Sequence, residues 1–307
     1  MLNLLIFESI TANIKNIKNL PELLSKTEFS SMKSQGENMI AALHSDLRQT
    51  KGLNIIVGKQ RVGETASDFM NRISPRIDLA WVIAPENDGE LEDCCLALKK
   101  KIWIGSELCA IRLASNKLKT KNYLKSIGIN TPDEISSESI KKIRYTKAVY
   151  KPIDGAGAID TCIIEGEEKI LNKIDYTSSN FLLEEWIEGE PFSVSLNCKP
   201  DDFEILSINQ QHITVDSFGK LTYRGVSPVN KRMFNVLYEN IEPILYLLIP
   251  TIPGLRGFVG IDFILGTNSR ISIIEINPRL TCSYIGLSNH ANCNIALKIL
   301  NSFGVKK

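Results

Sequence analysis

Apolar residues recur along this 307-residue chain in two patterns, alternation and helical spacing, and the switches between them mark its elements. Leu2 to Phe7 and Leu53 to Val57 are short aliphatic or β-branched runs that read as strands. Between them Met39, Ile40, Leu43 and Leu47 repeat at helical spacing. Asp78 to Ala84 and Lys101 to Ile104 supply two more strands around a helical stretch, Leu91 to Lys99. This order predicts a small parallel sheet wrapped by helices and ending near Gly105.

Beyond Gly105 the punctuation changes. Ser115 reads as an N-cap, Gly128 as the residue just past a helix end, and Pro132 forbids continuation, so a helix with a strand to follow is expected. Strands are expected at Lys147 to Lys151, Thr161 to Ile164, Phe181 to Glu185, Pro191 to Leu196 and Ile205 to Ile213, and a helix over Glu239 to Leu248 despite Pro243. Gly36-Glu37-Asn38 reads as a helix start, with a substrate contact as the alternative. Boundaries near 105 and 178 divide the chain into units 1–105, 106–178 and 179–307.

Ile273 to Asn277 alternates, with Ile274 and Ile276 on one side and Glu275 and Asn277 on the other. Upstream, Gly260 to Leu265 is a strand-like run carrying Asp262. A two-residue turn at Asn268-Ser269 would pair 267 with 270 and set Asp262 opposite Glu275. Two carboxylates so placed repel unless a cation lies between them. Hard oxygen donors suit magnesium, which leaves positions for phosphate oxygens.

Composition narrows the classes. With 43% hydrophobic and 23% charged residues the chain is ordinary for a soluble globular protein, and a net charge of +1 gives no general attraction to nucleic acid or acidic membranes. The apolar run at Met1 is too short for a secretion signal and lacks a basic leader, and Ile244 to Ile249 is far shorter than a membrane span, so a cytoplasmic protein is expected. Seven cysteines form no Cys-x-x-Cys pair and the three histidines are isolated, which points to reduced, mostly buried thiols and away from zinc. No Gly-x-Gly-x-x-Gly follows the first strand, which argues against a dinucleotide site there.

Lys117 sits in the first turn of its helix, where a cation opposes the helix dipole unless an anion is near. The four lysines between 117 and 125 also read as one solvated face. Lys151 ends a strand and precedes the loop Gly155-Ala-Gly157, whose small residues let backbone N–H groups approach phosphates; a flexible hairpin explains the same residues. In Phe181 to Glu190, apolar residues followed by acids can frame a purine and then a ribose, and an edge strand with solvated glutamates is the plainer alternative. Asn209-Gln-Gln-His212 and Tyr223-Arg224-Gly225 are candidate substrate contacts.

Together, Lys117, Lys151 with its loop, the Glu-Glu-Trp-Ile-Glu-Gly run, and Asp262 with Glu275 and Asn277 resemble, in order and spacing, the ATP-grasp superfamily. The resemblance implies an α/β protein of ATP-grasp fold with an N-terminal Rossmann-like pre-ATP-grasp domain, a small ATP-binding lobe and a larger lobe holding the metals. It further implies that Lys117 and Lys151 contact ATP phosphates, Glu184, Glu185 and Ile187 border the adenine, Glu190 approaches the ribose, and Asp262, Glu275 and Asn277 hold Mg2+, with Mn2+ an acceptable substitute. Asn116 stands where many members have Asp, and Pro191 where the ribose acid is often found. Phe7-Glu8, Gly36 to Leu43, Asp46-Leu47, Ile83 to Glu86 with Asp88, Asn209-Gln-Gln and Asn277 to Tyr284 are similar to the branch containing the tyramine–glutamate ligases of methanofuran and methylofuran biosynthesis. That branch implies a carboxylate–amine ligase working through an acyl phosphate on glutamate and tyramine, with Arg279 and Lys151 as catalytic residues and a homodimer compatible with it. Another amino-acid or dipeptide ligase, a small-molecule kinase and a nucleotide-binding module without turnover are the alternatives.

Overall fold

The computed structural model describes residues 1–13, 26–48, 50–140, 144–155, 157–175, 179–200 and 202–305. Ala156 of the small-residue loop and the expected boundary at 178 lie outside the described residues.

β1 (Leu2–Glu8) is buried from Leu4 to Glu8, and such a continuous run suits a parallel strand covered on both faces. It pairs in parallel with β2 (Leu53–Val57) and β3 (Leu79–Ile83), and β4 (Ile102–Trp103) completes the order β2-β1-β3-β4. α1 (Ser9–Ala12), α2 (Lys26–Leu47), α3 (Ala66–Ile73) and α4 (Glu90–Ala97) surround this sheet. Alternate residues of β1 face opposite layers: Leu4 and Ile6 meet Met39, Leu43 and Leu47 of α2, whereas Leu5 and Phe7 meet Phe69, Met70 and Leu91 of α3 and α4. Gly36 lies inside α2 and does not begin it, as the sequence pattern had suggested.

α5 (Leu108–Ala114) and α6 (Lys117–Ser126) follow. The N-cap of α6 is Asn116, whose side chain accepts from the Lys119 N–H at 2.9 Å; Ser115 instead closes α5. Gly128, at φ 77°, ends α6 as expected. The strand expected after Pro132 contracts to a single bridge between Glu134 and Glu184.

β5 (Lys147–Pro152), β6 (Cys162–Glu165) and β7 (Phe181–Glu185) form an antiparallel sheet in the order β6-β5-β7, backed by α7 (Glu167–Asp175). A larger antiparallel sheet runs β10-β9-β8-β11-β12, built from β8 (Gly189–Cys198), β9 (Phe203–Val215), β10 (Leu221–Pro228), β11 (Gly257–Gly266) and β12 (Ile271–Asn277). α8 (Lys231–Leu248) packs on it through Leu237, Ile241, Leu245 and Leu248, and starts about two turns before the expected helix because Asn230 caps it. α9 (Leu287–His290) and α10 (Ile295–Ser302) return to the first sheet, where Ile295, Ile299 and Leu300 share a core with Leu4, Ile6 and Leu43.

The β11–β12 hairpin reaches the expected pairing by a different route. Its loop has three residues, Thr267 to Ser269, closed by the Gly266 N–H donating to the Arg270 carbonyl at 2.9 Å, with Ser269 left-handed at φ 62°. The ladder therefore starts one step out of the expected register, and a bulge at Ile274 restores it, so that Asp262 faces Glu275. The bulge also changes the facing of the isoleucines: Ile273 and Ile276 enter the core, whereas Ile274 turns toward the cleft, against the expected alternation.

Candidate active site

The three sheets converge on a cleft of roughly 420 Å³, within the range of sites for nucleotide-sized ligands. Lys117, Lys151, Glu184, Glu185, Ile187, Asp262, Glu275, Asn277 and Arg279 all line it. Glu190 does not; it is exposed, and its neighbours Gly189 and Pro191 line the cleft instead.

Lys151 ends β5 with its ammonium buried, 2.5 Å from Glu184 Oε1. The other oxygen of Glu184 accepts from Lys121. Burial pushes the Glu184 carboxyl up, but the charges of Lys151 and Lys121 outweigh it and hold it below the usual carboxylate range. Lys121 was not singled out by the sequence, where it reads as one of four lysines on a solvated face. Its side chain is buried because α6 turns Lys121 inward, one helical turn after Lys117.

Lys117 Nζ donates to the Gly155 carbonyl at 2.7 Å and lies 3.6 Å from Glu275 Oε2. It thus joins the small-residue loop to the acidic face. In that loop Gly155, Gly157, Ala158 and Asp160 all have positive φ, and for Ala158 and Asp160 this is strained backbone of the kind that clusters at ligand sites. The Asp88 N–H from the N-terminal unit donates to Asp154 at 3.2 Å and fixes the loop from the other side.

Asp262 is hydrogen-bonded by Gln211 and Asn277, and burial together with the Glu275 charge pushes its carboxyl well above the usual range. Burial also acts on Glu275, but the charges of Lys117 and Lys151 hold it ionised below its ordinary value. Ser193 of β8, paired with Asp262 of β11, has a buried hydroxyl without a hydrogen-bond partner among the described residues. Among the described residues no group of three or more His, Cys, Asp or Glu side chains is arranged around a metal site. The donor set is two opposed carboxylates with Asn277, all oxygen donors. A hard divalent cation fits it, because it would relieve the repulsion that raises Asp262.

Arg279 donates through Nε and a terminal nitrogen to both oxygens of Glu86, at 2.9 and 2.8 Å. The partner is 193 residues upstream, just past the end of β3 and outside the hairpin. Trp186 also lines the cleft, with a buried indole N–H that has no partner among the described residues and Lys147 Nζ 4.3 Å from its ring centre. Its place between Glu185 and Ile187 was the available signal. Of the polar strand residues, Gln211 and Tyr223 reach the cleft, whereas the His212 ring is hydrogen-bonded to Ser227 at 2.8 Å.

The ATP-grasp domain family matches residues 114–283, more than half of the chain, and the pre ATP-grasp 3 domain matches residues 42–111. The chain belongs to the ATP-grasp family. Among curated relatives of this ATP-grasp protein, the tyramine–L-glutamate ligase of Methanocaldococcus jannaschii is 30% identical over 238 residues, covering 76% of this chain and 66% of the relative. That of Methanocaldococcus fervens is 31% identical over 214 residues, covering 69% and 62%. The chain therefore aligns with less than two thirds of the length of either. In fold, an ATP-grasp superfamily protein from Archaeoglobus fulgidus superposes with a TM-score of 0.72 at 21% identity, covering 98% of this chain and 88% of that one. The α/β reading with an N-terminal pre-ATP-grasp domain is thus borne out. Among the described residues no helix is long and apolar enough to cross a membrane.

Proposed function

We propose that this protein is an ATP-dependent carboxylate–amine ligase that joins the γ-carboxylate of glutamate to tyramine. The observation that carries this reading is the convergence of Lys117, Lys151, Asp262, Glu275, Asn277 and Arg279 on one cleft. The names of the curated relatives support the substrates. The division into units 1–105, 106–178 and 179–307, and a cytoplasmic location, belong to the same proposal.

In the first step a carboxylate oxygen of glutamate attacks the γ-phosphorus of ATP, ADP leaves, and an acyl phosphate forms. In the second, the amine nitrogen attacks the acyl carbon, phosphate leaves and an amide remains. Lys117 and Lys151 orient and neutralise the phosphates, so catalysis is largely positioning and electrostatics. Glu184, Glu185 and Ile187 border the adenine, with Glu184 acting through the lysines it holds; the ribose role expected of Glu190 is set aside, because that side chain is exposed outside the cleft. Asp262, Glu275 and Asn277 would hold magnesium, which when bound offsets the charge of the transferring phosphoryl group. Arg279, oriented by Glu86, stabilises the oxyanion that forms as the amine adds.

Incubation with ATP, glutamate and a panel of amines, followed by ADP assay and mass spectrometry, tests this. The expected product is the γ-glutamyl amide of tyramine with one ADP released per amide. Absence of ADP release with every carboxylate and amine pair, glutamate with tyramine included, overturns the reading, and a phosphorylated product that survives every amine identifies a kinase instead.

A further inference from the structure

α2 belongs to the N-terminal unit, yet one of its faces forms a wall of the cleft. Met32, Gln35 and Met39, three and four residues apart, share that face and line the cleft together. Ile83, which shares a core cluster with Met39, and Pro85 line the same cleft at and just past the carboxyl end of β3, where ligands of parallel sheets characteristically bind. The segment after Arg279 closes the compartment: Cys282 Sγ donates to Gln35 Oε1 at 3.2 Å. This apolar compartment therefore lies within three residues of the arginine assigned to the acyl-transfer step.

Two features give the compartment its chemistry. Gly36 brings α2 against Glu8, because a Cβ there would overlap the Glu8 carboxylate and the Thr11 side chain. A glycine inside a helix is unfavourable relative to alanine, so close approach of this carboxylate comes at the expense of helix stability. The Glu8 carboxylate borders the cleft and favours a cationic occupant over a second carboxylate. Gln35 is the polar residue on an otherwise apolar face. Its oxygen is engaged by Cys282, while among the described residues its amide nitrogen has a long contact, 3.5 Å to Ser31 Oγ. Thioether side chains on either side of it suit the face and edge of an aromatic ring.

We propose that Met32, Gln35 and Met39 form the subsite for the amine substrate, holding the ring of an arylalkyl amine between the methionines, with the Gln35 amide donating to a polar group at its far end. The inference rests on the ligase reading above and adds the residues that select the amine.

The test compares tyramine with 2-phenylethylamine, which lacks the phenol hydroxyl, in the full-length wild-type chain and in Gln35→Leu and Met32→Ala. Both positions are half-buried and outside the phosphate and metal cluster. Wild type is expected to prefer tyramine in kcat/KM by about tenfold, the worth of one neutral hydrogen bond, and Gln35→Leu to abolish that preference. Met32→Ala is expected to raise KM for both amines severalfold with KM for ATP and glutamate unchanged. Circular dichroism melts confirm folding of each variant. The subsite is overturned if wild type turns over but the tyramine preference survives Gln35→Leu, or if Met32→Ala shifts KM for glutamate and not for the amines. Failure of wild type to release ADP with any amine strikes the ligase reading instead.

Discussion

With burial and the Glu275 charge both opposing its ionisation, the Asp262 carboxylate weakens the folded chain when no cation is near. Asp262→Asn should therefore raise the melting temperature of the metal-free protein by a degree or two, about 1 kcal/mol, while lowering ADP release at least about a hundredfold. Calorimetry beside an ADP assay checks both directions at once. Glu184 is the converse case, a buried carboxylate favoured by two cations. Its folded-state value is depressed, so its contribution is full above the ordinary value near 4.5 and is lost as pH falls below it through the lower folded value. Lys121→Met should cost about 2 kcal/mol in urea unfolding at neutral pH, and the difference from wild type should shrink as the medium is acidified below that range. The oxygen donors were legible in the sequence because alternation and hairpin counting are local. Lys121 was not, because spacing along a helix gives a face but not what covers it. Glu86 was not tied to Arg279, because no local pattern links residues so far apart.

At the scale of elements, the β11–β12 hairpin departs from its simplest reading twice, and the departures cancel at Asp262 and Glu275. What remains is Ile274, an extra residue turned into the cleft. Removing it leaves a regular ladder with Glu275 still opposite Asp262, so the deletion variant should fold. Loss of one apolar contact to the nucleotide should raise KM for ATP about tenfold. Unfolding of the deletion variant, or an unchanged KM, would contradict the role given to the bulge. Strand and helix periods located the strands other than β10 and the helices α2, α4, α6 and α8, but not α1, α3, α5, α7, α9 or α10, and the misplacements have local causes. Asn116 outcompetes Ser115 for the N-cap of α6, and Asn230 extends α8 upstream of Glu239. The segment after Pro132 meets β7 at one bridge, held by the Ile135 N–H on the Leu183 carbonyl and the Glu185 N–H on the Asp133 carbonyl.

For the whole molecule, the cleft draws on all three sheets, and ATP with magnesium should stabilise the protein by mass action. At a hundredfold excess over Kd the gain is about 2.7 kcal/mol, or a melting shift of about 4 °C for a chain of this length. A chelator should abolish most of the shift, and its persistence without divalent metal would count against Asp262, Glu275 and Asn277 as the metal site. The overall architecture was legible because four short motifs fall in family order. The joining of the units was not, because it depends on long-range contacts, both polar, such as Arg279 with Glu86 and Asp88 with Asp154, and apolar, in the core that Leu4, Ile6 and Leu43 share with Ile295, Ile299 and Leu300.

The core that α10 shares with the first sheet carries a consequence for biosynthesis. Leu4, Ile6 and Leu43 are made early, yet Ile295, Ile299 and Leu300 belong to the same cluster. On the ribosome, the inner face of the parallel sheet stays without part of its cover until nearly all of these residues have emerged. The early segment must wait in a partly open form, and a nascent chain halted before residue 295 should be more protease-sensitive around β1 and α2 than the released protein.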